Sequence, residues 1–141
     1  MSPVVVLRAA EARDVPRIVE FWAEAGENSS RPADRSDLVA RLLDRDSEAL
    51  IIATLDDRIV GTIIAGWDGW RGSLYRLAVD PAHRGRSIAR SLVSAGERRL
   101  ADLGAERVTA MVLDENAGGA DLWTALGYER QADWSRWVRH L

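Results

Sequence analysis

Residues 79–92 read VDPAHRGRSIARSL, and the elements on either side of this stretch decide the fold. A strand from about Ser73 to Val79 stops at Asp80-Pro81, and a loop of small and basic residues follows. Ile88, Leu92, Leu100 and Leu103 then mark one face of a long helix that ends at Gly104. Arg107 to Leu113 reads as the next strand, so residues 73–113 form a crossover whose two strands lie parallel with the helix packed across them. A helix that opens directly after such a loop presents amides with no partner inside the helix and a partial positive charge. That end suits a phosphate, at roughly 0.3–1 kcal/mol per favourable charge interaction. Gly85 lets the backbone approach closely, and Arg84, Arg86 and Arg90 add three guanidinium groups, enough for a diphosphate and a further phosphate. For an isolated RGRS a solvated helix start is the plainer reading and a general anion site the next. The lysine and spacing of the P-loop GxxxxGK[ST] are absent.

Working outward, Val4 to Leu7 is an apolar β-branched run fit for a strand, and Asp14-Val15-Pro16 reads as a helix N-cap with proline in the first turn. Val15, Ile18, Val19 and Trp22 fall at helical spacing after it. The polar stretch 26–33, broken by Pro32, is a loop, and a second helix from about Ser36 carries Leu38, Leu42 and Leu43 on one side. Leu50–Leu55 and Ile59–Ala65 are apolar runs joined by Asp56-Asp57-Arg58 in a hairpin, and Asp68-Gly69 turns the chain into the strand that ends at Val79. Three adjacent antiparallel strands followed by a crossover give an α+β fold with a mixed sheet. A last helix spans about Gly119 to Leu126, and Tyr128–Asp133 and Arg136–His140 read as a closing pair of strands. The exposed edge of that pair would suit a homodimer.

At 141 residues the chain fits one domain, 1–141, with a single core. A composition 47% hydrophobic and 29% charged is that of a globular protein. The net charge of −3 argues against sequence-independent nucleic-acid binding, which needs a basic face. Every fixed positive charge is an arginine, a planar fork suited to phosphate or carboxylate, although genome composition alone explains such a bias. Without cysteine, and with only His83 and His140 as imidazoles, no metal site is expected. No segment approaches the ~20 apolar residues of a membrane span, and the start lacks a basic and then apolar leader pattern, so no membrane partner and a cytoplasmic location are the expectations.

Two blocks resemble the GNAT superfamily of acyl-CoA N-acyltransferases. In that family a strand ending in a V-x-P-like turn feeds an [RQ]-x-x-G-x-[GA] loop whose amides bind the pyrophosphate of coenzyme A. Val79, Pro81, Arg84 and Ala89 match, while Ser87 stands where the family usually has its first glycine, a departure that a small side chain should tolerate while restricting the loop's backbone angles. Downstream, NAGGADLWTALGYE at 116–129 resembles the family's N-x-x-A-x-x-L-Y-x-x-x-G-[FY], with Asn116, Leu122, Gly127 and Tyr128 matching. The first 22 residues look like the family's first strand and helix, and GWDGWRGSLYRLAVDP resembles a GNAT subgroup of uncharacterised bacterial acetyltransferases. The resemblance implies a mostly antiparallel sheet, flanked by helices on both faces, whose central parallel pair splays apart.

It also implies acetyl-CoA as cofactor, held by Leu77, Ala78 and Val79 along the strand, by Arg84, Gly85, Arg86, Ser87, Ile88, Ala89 and Arg90 at the helix start, and by Asn116 and Trp123 downstream. The acceptor would be a small-molecule or peptide amine attacking directly, with the oxyanion held by the Leu77 N–H, an interaction worth roughly 2.7–4 kcal/mol where such a donor has been removed. A protonated amine of pKa ~10 cannot attack, so a base or water chain is needed. Asp68, Glu20 and Glu24 are the carboxylates to weigh, and for Asp68 an ordinary hairpin turn is the plainer reading. Trp123 replaces the tyrosine that usually serves as general acid, leaving Tyr75 and Tyr128 as substitutes or as core. A thiol of pKa ~8.5 leaves without much proton help, so the reaction can also run with no dedicated acid. Trp67, Trp70 and Arg71 flank a turn where an acceptor pocket or an interface would lie. The missing tyrosine keeps open a second function, an acyl-CoA-binding sensor or assembly module. An unrelated nucleotide-phosphate binder is a third.

Overall fold

Among the described residues five strands form one sheet in chain order: Val6–Ala9 (β1), Leu50–Leu55 (β2), Arg58–Trp67 (β3), Gly72–Val79 (β4) and Val108–Ala110 (β5). The computed structural model describes residues 4–25, 34–84, 87–112 and 117–141. The first four strands pair antiparallel, and β5 joins β4 in parallel after the crossover. Asp56 and Asp57 both take left-handed backbone, φ 50° and 62°. That is the two-residue turn whose twist matches the strands it joins, so β2 and β3 meet with no longer loop.

Helices cover both faces of this sheet. Val15–Ala25 (α1) buries Val15, Ile18, Phe21, Trp22 and Ala25, and Ser36–Arg45 (α2) buries Val39, against Leu50, Ile52, Ile64 and Ala78. Leu42 and Leu43 complete the α2 stripe with Val39. Leu38, expected on that stripe, is exposed because it lies a quarter turn off the face set by positions 39, 42 and 43. Ile88–Leu103 (α3) packs on the opposite face and stops at Gly104, φ 108°, as a left-handed cap requires. Its inward face is Ile88, Leu92, Val93, Gly96 and Leu100, while Leu103 in the last turn is exposed. Two glycines set the height of α3 above the sheet. A Cβ on Gly96 would stand 2.7 Å from Leu74 Cδ2, and one on Gly61 would stand 2.9 Å from Leu92 Cδ1 and 3.0 Å from Ile88 Cγ2.

Asp14 differs from the expected N-cap. Glu11 caps a 3-10 turn, Ala12–Asp14, ahead of α1, and the Asp14 carboxylate accepts the Glu11 N–H at 2.8 Å. Fully buried, it also takes both nitrogens of the Arg8 fork, at 2.8 and 2.9 Å, and Arg17 at 3.1 Å. A carboxylate with that many donors is better used inside than at a solvated helix end, and its pKa is held well below the carboxylate range, chiefly by Arg8.

Residues 112–141 form a second compact unit. It contains one helix among its described residues, Ala117–Ala125 (α4), in which Trp123 is buried and meets Tyr128 edge to face with ring centres 4.8 Å apart. The expected closing strands at 128–133 and 136–140 are not formed, and Trp134, Trp137, Val138 and Leu141 are exposed. A strand needs a neighbour to take its backbone groups, and no described residue supplies that ladder here. The edge proposed for a homodimer goes with it. Among the described residues no helix is long and apolar enough to cross a membrane.

Candidate active site

The strand before the VDPAHRGRSIARSL loop is irregular at one point. Thr62 pairs with Ala78 and Ile64 with Tyr75, so β3 places one residue, Ile63, opposite two on β4, Arg76 and Leu77. This is a β-bulge, and Arg76 within it has φ 53°, a left-handed conformation that costs a non-glycine residue about 1–2 kcal/mol. Four contacts hold it there. The Thr62 hydroxyl donates to the Arg76 carbonyl at 2.8 Å, and the Trp22 indole N–H donates to Thr62 Oγ1 at 2.9 Å. The Arg76 guanidinium lies over the Trp22 ring, 5.2 Å from its centre, and pairs with Asp34 at 2.5 Å. On its other side β4 meets β5 only through Gly72, Ser73 and Leu74. From Tyr75 to Val79 that edge has no strand partner among the described residues, which is the splay of the parallel pair.

The start of α3 stands at the end of this open edge. Gly61 pairs with Val79, and the same Gly61 is the residue on which Ile88 rests. Between them Asp80 N–H donates to the Val60 carbonyl at 2.9 Å, and the Asp80 carboxylate accepts the Ala82 N–H at 2.9 Å, closing the 3-10 turn Pro81–His83. Ser87 precedes the helix with φ 61°, so the position does demand the backbone that glycine takes most easily. The side chain of Ser87 makes no capping bond to the helix, so among the described residues the first amides of α3 are left to solvent or a ligand. Arg84 and Arg90 are exposed, Ala89 is half-buried and Ile88 is buried. Gly85, Arg86 and Asn116 lie outside the described residues.

An open strand edge beside the start of α3, joined by a turn and a left-handed serine, is the order of elements that the resemblance of the VDPAHRGRSIARSL block implies. The acetyltransferase (GNAT) family model matches residues 15–128. The chain belongs to the GNAT acetyltransferase family. As a member it is an acetyl-CoA-dependent N-acetyltransferase, which also takes an acceptor. An acetyltransferase of Yersinia pestis (strain Pestoides F) is 31% identical over 126 residues, covering 89% of this chain and 88% of its own length. One from Sodalis glossinidius is 30% identical over 126 residues, covering 89% and 87%. Among solved structures, aminoglycoside N-acetyltransferase AAC(6')-Iy in complex with CoA superposes with a TM-score of 0.79 at 17% identity, covering 100% of this chain and 98% of that one. Diaminobutyrate acetyltransferase EctA from Paenibacillus lautus, in complex with its substrate and coenzyme A, gives 0.77 at 24% identity, covering 89% and 75%. At those identities the structures establish a common fold.

The remaining candidate residues of this acetyltransferase sort by position. Leu77, half-buried, sits in the bulge, with Ala78 and Val79 after it along the open edge. Asp68 accepts the N–H groups of Trp70 at 2.8 Å and Arg71 at 2.6 Å, and these bonds, Arg71 first, hold its pKa below the ordinary carboxylate value. It is a turn cap by geometry and reluctant to take a proton. Trp67 ends β3, while Trp70 is exposed with the Arg71 guanidinium 4.7 Å over its ring centre, so the two form one cation–π platform at the β3–β4 turn. Tyr75 is 42% exposed on β4, and burial of the rest of its ring raises the phenol pKa. Trp22, Asp34, Thr62 and Arg76 were not expected at the site. Thr62 alone left a sequence signal, a hydroxyl inside the apolar run Ile59–Ala65.

Proposed function

We propose that this acetyltransferase, acting as one domain over 1–141, moves the acetyl group of acetyl-CoA to a primary amine by direct attack in a ternary complex. The observation that carries the reading is the edge of β4 from Leu77 to Val79, which has no strand partner among the described residues and ends at the start of α3, where the Ser87 side chain makes no cap. Bound acetyl-CoA supplies an acyl group already activated as a thioester. Leu77, Ala78 and Val79 hydrogen-bond its extended arm as an added strand would. The amides of Ser87 to Arg90 receive the diphosphate, with Arg84 and Arg90, and with Gly85, Arg86 and Asn116 assigned from sequence. The Leu77 N–H donates to the acyl oxygen as negative charge develops there.

Tyr75 is a phenol, protonated at neutral pH, and burial raises its pKa further, so it acts as a donor toward the departing sulfur and not as the base. Asp68 shapes the turn that presents Trp70 and Arg71. About five residues of strand, roughly 16 Å, separate that turn from Leu77, so an acceptor touching both ends is extended, as a peptide amine is. Trp123 keeps the cofactor role that the sequence resemblance implies. The test is release of free thiol from acetyl-CoA against a panel of amines running from small diamines to peptides with free N-termini or lysines. Release that requires an amine supports the reading, and coenzyme A binding with no release from any member of the panel overturns it.

A further inference from the structure

We infer that Thr62, oriented by Trp22, is a positioning residue that aims the Leu77 N–H into the open edge of β4. This rests on the acetyl-transfer reading above and adds the part of the molecule that sets its donor. A bulge leaves one extra residue outside the ladder, and the carbonyl of that residue must find a partner elsewhere. Here the residue is Arg76 and the partner is the Thr62 hydroxyl, 2.8 Å away and on a side chain with no solvent exposure.

The carbonyl can only accept, so the Thr62 hydroxyl must donate, and Trp22 holds that hydroxyl from behind. An indole N–H can only donate, so Trp22, 2.9 Å from Thr62 Oγ1, occupies an acceptor site of the hydroxyl and leaves its proton for Arg76. The chain of donation therefore runs Trp22 to Thr62 to the Arg76 carbonyl. That carbonyl and the Leu77 N–H belong to one peptide unit, and no described peptide bond is cis. In a trans unit the two groups point in opposite directions. Drawing the Arg76 carbonyl toward Thr62 on β3 therefore turns the Leu77 N–H away from β3, to the side where, among the described residues, β4 has no strand partner beyond Leu74. The left-handed φ of Arg76 is the backbone cost of this arrangement, and the contacts of its side chain with Trp22 and Asp34 offset it.

The test compares Thr62→Val, which keeps the shape and removes the hydroxyl, with Thr62→Ser, which restores it, and with Trp22→Phe, which perturbs the core while leaving the Thr62 to Arg76 bond. Calorimetric titration with acetyl-CoA and with coenzyme A isolates the acyl oxygen, because coenzyme A has none. The wild type should favour acetyl-CoA by about 3- to 10-fold, the worth of one hydrogen bond. Thr62→Val should lose that preference while keeping its affinity for coenzyme A, and Thr62→Ser should retain it. Trp22→Phe should lower the melting temperature yet keep more of the preference than Thr62→Val. In the free protein the Arg76 and Leu77 amide resonances should move in Thr62→Val and stay near their wild-type positions in Thr62→Ser. An unchanged preference or unmoved resonances in Thr62→Val overturn the inference, as does a preference that merely tracks melting temperature across the variants. If the wild type bound neither ligand, the acetyl-transfer reading would fail by itself, and the resonances would still decide whether Thr62 sets the Leu77 peptide.

Discussion

Replacing Gly61 by alanine puts a methyl group where α3 rests on the sheet. The new Cβ would meet Leu92 Cδ1 at 2.9 Å, Ile88 Cγ2 at 3.0 Å and the Ala78 carbonyl oxygen at 3.3 Å. Ordinary carbon contacts lie near 3.5–4.0 Å, so the helix start must rise by roughly 0.5–1 Å or the two side chains must leave their rotamers. Overpacking of this kind costs about 1–3 kcal/mol, and the lower entropy of an unfolded alanine returns about 0.4–1 kcal/mol. The net expectation is a loss of about 1–2 kcal/mol, read by thermal or urea unfolding. Ile88 is the first residue of α3, so its displacement also moves the amides assigned to the diphosphate. A shift of up to 1 Å in a preorganised site should weaken coenzyme A binding about tenfold or more, measured by titration calorimetry. Gly96→Ala is the control, because its clash with Leu74 lies two turns further along the helix and should cost stability with much less effect on affinity. Gly61→Ala with wild-type stability and affinity would refute the claim that this contact seats the helix start.

Ser87→Gly relieves a left-handed φ of 61° and should raise stability by about 0.5–1 kcal/mol, net of glycine's extra unfolded entropy, seen as a higher melting temperature. A lower one would contradict the strain assigned there. Asp14 has a folded pKa far below its unfolded value of ~3.9, so its stabilisation is complete above about pH 4 and is lost as pH falls toward the folded value. Arg8→Ala should cost about 2–4 kcal/mol at neutral pH, discounted because Arg8 is part-exposed and Arg17 remains, and should flatten this acid limb in pH-dependent unfolding. An unaltered acid limb would show that the pair does not carry it. Trp123→Phe should keep most of kcat in a thiol-release assay, since indole has no proton to give at neutral pH, and a fall of several orders of magnitude would assign Trp123 a direct part.

The sheet and its crossover were legible because their signals are local. Apolar runs placed β2 and β3 within two residues of their ends, Asp56-Asp57-Arg58 marked the hairpin, and the 3.6-residue stripe from Ile88 to Leu100 fixed α3. The bulge was not legible, because it depends on Trp22, Thr62 and Arg76 meeting across 40 and 14 residues of sequence. Asp14 misled for the same reason, since an aspartate before Val-Pro reads as a cap whether or not two arginines surround it. The closing strands expected at 128–133 and 136–140 find no ladder among the described residues to complete them. Of the candidate site, the turn and the start of α3 were readable from Pro81, Arg84 and Ala89, whereas the bulge that carries Leu77 belongs to the fold.

Titration calorimetry of the intact chain with coenzyme A, acetyl-CoA and ATP is the most direct measurement. Saturable one-to-one binding of both thiol-arm ligands, with ATP far weaker, is the result expected if the β4 edge and the start of α3 form one cofactor seat. ATP binding as tightly as coenzyme A, or no heat with either coenzyme A or its acetyl thioester, would contradict it.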